Sequence, residues 1–209
     1  MTTTYNRIAG QNLHRIAALS DGVFAFAMTL LVLDLRPPVV AAIHSEADLW
    51  HALVALSPRL VPYFMSFLTL GIFWVGQQTH HDHLAKSDRS YAWIQIVFLM
   101  AVSLVPFTTA LLASFITYRI ALIAYWLNIQ LLGMIVLASV YRAKWFGLTK
   151  PDMPADAERA LVRRVLIGQA LYAFGAALCV FSTWWSIGFI VAVQLNYAIA
   201  PRIYPLDRI

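Results

Sequence analysis

Ser20 and Asp21 lie about a quarter of the way into an apolar run that extends from Arg15 to Leu35. A carboxylate at that depth in a bilayer costs about 2.5–3.5 kcal/mol on insertion scales, so it is either paired within the protein or serves a water-filled path. Asp21 is therefore open to two readings, a polar clamp between helices or direct contact with an ion or proton. Asp34 closes the same run. There a carboxylate is either solvated at the outer interface or concentrates cations at an opening.

A second cluster, His80-His81-Asp82-His83, offers three imidazoles and a carboxylate in four residues. Neighbouring residues on a helix point in different directions, so the run makes a poor chelate. It reads as a solvated cytoplasmic helix end, able to gain charge near pH 6.5. No metal site is assigned. The sequence shows no nucleotide loop, catalytic serine motif or paired intramembrane carboxylates, which disfavours an enzyme. The single Cys179 excludes a disulfide framework within one subunit.

The elements that position these residues follow from composition. The 209 residues are 61% hydrophobic and 12% charged, against about a quarter charged in soluble domains. Six segments each supply roughly twenty apolar residues, enough for about 30 Å of helix. They fall near 15–36, 58–79, 91–114, 118–141, 161–182 and 184–201. The expected fold is an all-α membrane protein forming a single domain over residues 1–209. Pro37–Pro38 ends the first helix and Ser57–Pro58 starts the second, while Pro106 places a kink inside the third. The carbonyl freed there must find another partner. Tyr63, Tyr91, Trp93, Trp145, Trp184, Trp185 and Tyr204 read as interfacial anchors.

Lys and Arg partition sharply between the loops. Twelve, including Arg7, Arg15, Arg202 and Arg208, fall on one side of the expected helices, and only Arg36, Arg59 and Arg119 on the other. The positive-inside rule then puts both termini in the cytoplasm of a multi-pass protein of the cell membrane. It also accounts for the net charge of +5 without nucleic acid as a partner.

At about 100° per residue, Phe26, Leu30 and Leu33 share one face of the first helix, with Thr29 at its border. Asp21 lies about 140° from Phe26, and Arg15 about 120° from Asp21. Asp21 therefore cannot share the environment of the apolar stripe, nor form the usual i,i+4 pair with Arg15. A neighbouring helix must satisfy it, with Ser20 as a nearby donor. The stripe itself fits lipid contact or helix packing as well as a more specialised role.

Arg15-Ile-Ala-Ala-Leu-Ser-Asp21, with the apolar run that follows, resembles the first helix of the transmembrane protein 175 family, potassium-permeable channels of lysosomes and bacteria. The family signature is an arginine, three variable residues, then phenylalanine-serine-aspartate. Arg15, Ser20 and Asp21 match, and Leu19 replaces the phenylalanine. Phe73–Trp74, Asp88–Arg89, Leu104-Val-Pro-Phe107 and Asn128 extend the resemblance over most of the chain, up to about residue 145.

The resemblance implies one six-helix unit per subunit and a homotetramer whose first helix lines a central pore. The pore residues would be Phe26, Thr29, Leu30 and Leu33, with Asp34 at the mouth and Arg15, Ser20 and Asp21 as a structural motif. The permeant ion would be potassium, passing an apolar constriction, with no cofactor. Two departures bear on this: Phe26 stands where the family usually has an aliphatic residue, and Gln77 where a histidine is common. A proton-coupled transporter titrating Asp21 is the alternative.

Overall fold

Asn12 starts the first helix by accepting the Arg15 N–H in its side chain at 3.1 Å, which satisfies a donor the helix itself cannot. The computed structural model describes residues 10–199. Arg7, Arg202, Arg208 and Tyr204 of the topology and anchor readings lie outside them. Helix α1 (Leu13–Leu31) runs into a 3₁₀ turn, Val32–Asp34, before Pro37–Pro38.

Helix α2 (Glu46–Asp82) is 37 residues long and carries Pro58 and Pro62 inside it. Proline does not begin this helix, as the sequence suggests; the start lies twelve residues earlier, at a reciprocal cap. Ser45 Oγ accepts the Asp48 N–H and Asp48 Oδ2 accepts the His44 N–H, each at 3.1 Å. A Ser-x-x-Asp box fixes a helix start even where a later proline removes one internal hydrogen bond.

The third expected span is broken in two, α3 (Arg89–Ser103) and α4 (Val105–Ser114). Pro106 causes the break by withholding its N–H. Asn128, on α5 (Arg119–Trp145), repairs it. With the amide oriented by its neighbours, Asn128 donates to the Ala101 carbonyl at 3.1 Å and accepts from the Val105 N–H at 3.2 Å. Asn128 thus ties the two halves together across the break from another helix.

Helices α6 (Ala155–Ala177) and α7 (Thr183–Ile199) form an antiparallel pair joined through a 3₁₀ turn at Leu178–Val180. Glycine lets neighbours approach closely here. A Cβ on Gly133 would overlap the Gln169 side chain, and one on Gly175 would meet Phe189 at 2.9 Å.

Among the described residues there is no strand, only an isolated bridge between Leu84 and Thr149. Five helical stretches are long and apolar enough to cross a membrane: Leu13–Asp34, Glu46–Asp82, Arg89–Ser114, Arg119–Trp145 and Asp156–Val180. Helix α7 has 17 described residues and is equally apolar in character.

One buried cluster joins Phe24, Ala27 and Leu31 of α1 to Leu70, Phe98, Val102 and Leu132. A second joins Met65, Leu112, Tyr125, Ile129, Tyr172 and Ile190. Hydroxyls and amides link the helices in the core. Thr109 donates to Ser66 at 2.6 Å, Thr69 and Tyr125 bond at 3.0 Å, and Gln194 donates to Thr69 at 2.7 Å. Such contacts hold membrane helices together where lipid is as apolar as the core.

Candidate functional site

Helix α1 has two unlike faces. Ser20, Phe24, Ala27 and Leu31 are buried at helical spacing against α2, α3 and α4. On the other side Phe26 and Leu33 are each 66% exposed, Leu19 is 53% exposed, and Gly22 and Thr29 are exposed between them. The outward stripe therefore runs Leu19, Gly22, Phe26, Thr29, Leu33. Thr29 lies within it, and Leu30, half-buried, forms its border, the reverse of the order read from the sequence.

The Thr29 hydroxyl donates to the Phe26 carbonyl at 2.8 Å. Its hydrogen is thereby held within the helix, and its lone pairs remain to accept from or coordinate a visitor. Asp34 is half-buried in the 3₁₀ turn that ends this face.

Asp21 lies away from the stripe, as its angular position requires. Its Oδ1 accepts the indole N–H of Trp74 on α2 at 2.8 Å. A neighbouring helix thus supplies the donor, as expected, and the donor is a tryptophan; Ser20, the nearby donor on the same helix, is buried. Arg15 is exposed on the side of the stripe and joins neither. Trp74 belongs to the motif quoted above, but only the packed helices reveal it as the donor.

Asp88–Arg89 has a comparable role at the base of α3. Asp88 Oδ1 accepts the Tyr91 N–H at 2.7 Å and caps the helix, while Oδ2 pairs with Arg142 of α5. Burial raises the Asp88 carboxyl, but the bonds from Arg142 and from the Tyr91 N–H outweigh it and hold the group below the usual carboxylate range. The Arg142 guanidinium also stacks over Phe146, 3.3 Å from the ring centroid.

The histidine cluster is not a solvated helix end. His80 and His81 are 3% and 8% exposed, and their rings pack on that of Tyr91, with centroids 6.0 and 6.3 Å away. Tyr91, read as an interfacial anchor, is accordingly fully buried. Only the fold brings α2 and α3 together there, so neither burial is visible in a local pattern. Trp93, Trp145, Trp184 and Trp185 are exposed near helix ends, as anchors should be. His83 Nδ1 faces the Thr79 carbonyl at 2.6 Å. Among the described residues no group of three or more His, Cys, Asp or Glu is placed to hold a metal. Gln77 is buried and donates to Gln95 at 2.7 Å, tying α2 to α3 with a neutral bond.

These features define a multi-pass helical membrane protein whose first helix turns an apolar, threonine-bearing face away from its own subunit. The family described as endosomal/lysosomal potassium channel TMEM175 matches residues 15–106. A potassium channel of Streptomyces collinus is 36% identical over 165 residues, covering 76% of this chain and 78% of that protein. The chain belongs to the TMEM175 family. The crystal structure of a lysosomal potassium-selective channel TMEM175 homolog from Chamaesiphon minutus superposes with a TM-score of 0.79 at 27% identity, covering 91% of this chain and 98% of the other. The human endosomal/lysosomal proton channel TMEM175 is 25% identical over 185 residues, which span 88% of this chain and 35% of the human protein.

Proposed function

We propose that the protein is a potassium-permeable channel of the cell membrane, a homotetramer of six-helix subunits around α1, with each subunit a single domain over residues 1–209. The observation that carries this reading is the outward face of α1: Phe26 and Leu33 are two-thirds exposed on a helix whose other face is packed. Four copies about an axis would bring these side chains into rings. Both termini lie on the cytoplasmic side, Asp34 stands at the outer mouth, and no cofactor, nucleic acid or enzymatic step is involved.

Rings of Phe26, Leu30 and Leu33 form an apolar neck that closes by losing water. Potassium holds its hydration shell more loosely than sodium and so crosses such a neck at lower cost. Thr29 oxygens replace part of the water lost. The structural motif, Arg15, Ser20 and Asp21, fixes the angle at which α1 presents this face. Asp21, already engaged by Trp74, fits a clamp better than a titrating carrier, which disfavours the proton-coupled transporter.

Potassium and sodium flux in proteoliposomes tests the proposal, with subunit number read by native mass spectrometry. The wild-type tetramer should pass potassium faster than sodium, and Leu33→Ala should raise basal flux severalfold by widening the neck. Equal fluxes of the two ions, or a Leu33→Ala protein that assembles normally and conducts as wild type does, would refute the apolar constriction.

A further inference from the structure

A groove of about 710 Å³ runs between α1, α2 and the α6–α7 pair. Its lining is ordered along the membrane normal. Helix α1 rises from Asp21 to Met28 as α2 descends from Phe67 to Trp74, and the Asp21–Trp74 bond fixes the two in register. Asp21, Trp74, Arg164 and Tyr197 therefore line one end, and Met28, Phe67 and Leu68 the other, with Gly71 on the floor between them. At about 1.5 Å per residue the two ends are roughly 10 Å apart.

The polar end carries two charged groups: the Asp21 carboxylate, engaged by Trp74, and Arg164, which no carboxylate among the described residues pairs. Among the described residues the ion pairs are Asp88–Arg142 and Lys144–Glu158, and Arg164 is in neither. Its guanidinium lies 5.2 Å from the Tyr197 ring centroid, a contact that leaves its in-plane N–H donors free. Arg164 is exposed, and the positive-inside rule puts this end near the cytoplasmic surface. A cation at the interfacial end of an apolar groove matches one ligand chemistry: a phosphate attached to a hydrocarbon chain.

We propose that this groove binds an anionic phospholipid of the cytoplasmic leaflet. The phosphodiester accepts hydrogen bonds from Arg164, and one acyl chain follows Ile72, Leu68 and Phe67 toward the bilayer centre. The inference needs the chain to be in a membrane but not to conduct ions, so a failure of the channel reading leaves it standing.

Native mass spectrometry of the purified oligomer, titrated with dioleoylphosphatidylglycerol or dioleoylphosphatidylcholine, tests it. Wild type should retain the glycerol lipid more tightly than the choline lipid. Arg164→Gln should weaken the glycerol lipid about fivefold and the choline lipid, whose own ammonium already neutralises its phosphate, clearly less, while Arg163→Gln, outside the groove, should alter neither. Gly71→Leu, at a position where an added Cβ meets no atom within 4 Å in the subunit, should weaken both by filling the acyl path. Equal retention of the glycerol lipid by wild type and Arg164→Gln would overturn the proposal. So would a Gly71→Leu protein that changes subunit number with lipid binding intact, because a second copy would then occupy the groove.

Discussion

Asp21 is the most conspicuous residue of the chain, and Trp74 is the one that makes it tolerable. A hydrogen bond to a charged acceptor contributes about 1.5–3 kcal/mol, and here it also sets the rotation of α1. Trp74→Phe keeps the ring and deletes the donor. It should lower resistance to denaturant by about that amount and reduce the fraction of assembled protein, both measurable by unfolding in detergent and by sizing. Unchanged assembly would show that α1 is oriented by packing alone. The sequence was legible at this scale as far as angles carry: Asp21 opposite the stripe, Phe26 and Leu33 within it. It did not distinguish Thr29 from Leu30 as the outward residue, because a 20° shift in the stripe's centre exchanges them. Nor could it name the donor, since an indole 53 positions away is a partner only in the folded chain.

At the scale of elements, the fold was readable wherever a local rule was decisive and unreadable where two rules competed. Pro106 disrupts its helix, as a full break where a kink was expected. Pro58 did not start one, because the Ser45–Asp48 cap had already done so. The break at Leu104 shows how the helices of this chain are held, because the side chain that bridges it comes from α5. Asn128→Leu leaves the Val105 N–H without its partner and the Ala101 carbonyl with only the Leu104 N–H, at about 1–3 kcal/mol for the buried donor. That variant should unfold at clearly lower denaturant concentration while remaining helical by circular dichroism. Stability equal to wild type would mean that the break closes on itself. Helix α2, at 37 residues, is about 55 Å long against a hydrocarbon core of about 30 Å. Its first turns therefore stand outside the span that the sequence assigned from residue 58.

For the whole molecule, the end of the bundle around Asp88 depends on that carboxylate more than on the histidines beside it. Its carboxyl is held below the usual range in the folded protein. The stability it contributes is therefore present above the unfolded carboxylate value, near 3.9, and is lost as pH falls through the lower folded value. Thermal midpoints should show no pH dependence from this group between pH 7 and 5 and then a fall below about pH 4, and Asp88→Asn should remove that part of the fall. A variant retaining the full acid dependence would place it elsewhere.

The small internal bond from Thr29 to the Phe26 carbonyl reaches furthest. In the proposed tetramer its hydrogen is spent inside each helix, so the neck offers four oxygens and no polar hydrogen at that level. Chloride shed of water would find nothing to solvate it there. The sign of the permeant charge is then set by a hydroxyl's orientation in a passage without a formal charge. Thr29→Val, nearly the same shape without the oxygen, should move the reversal potential in a potassium chloride gradient toward zero. An unmoved potential would assign charge discrimination to the mouths instead.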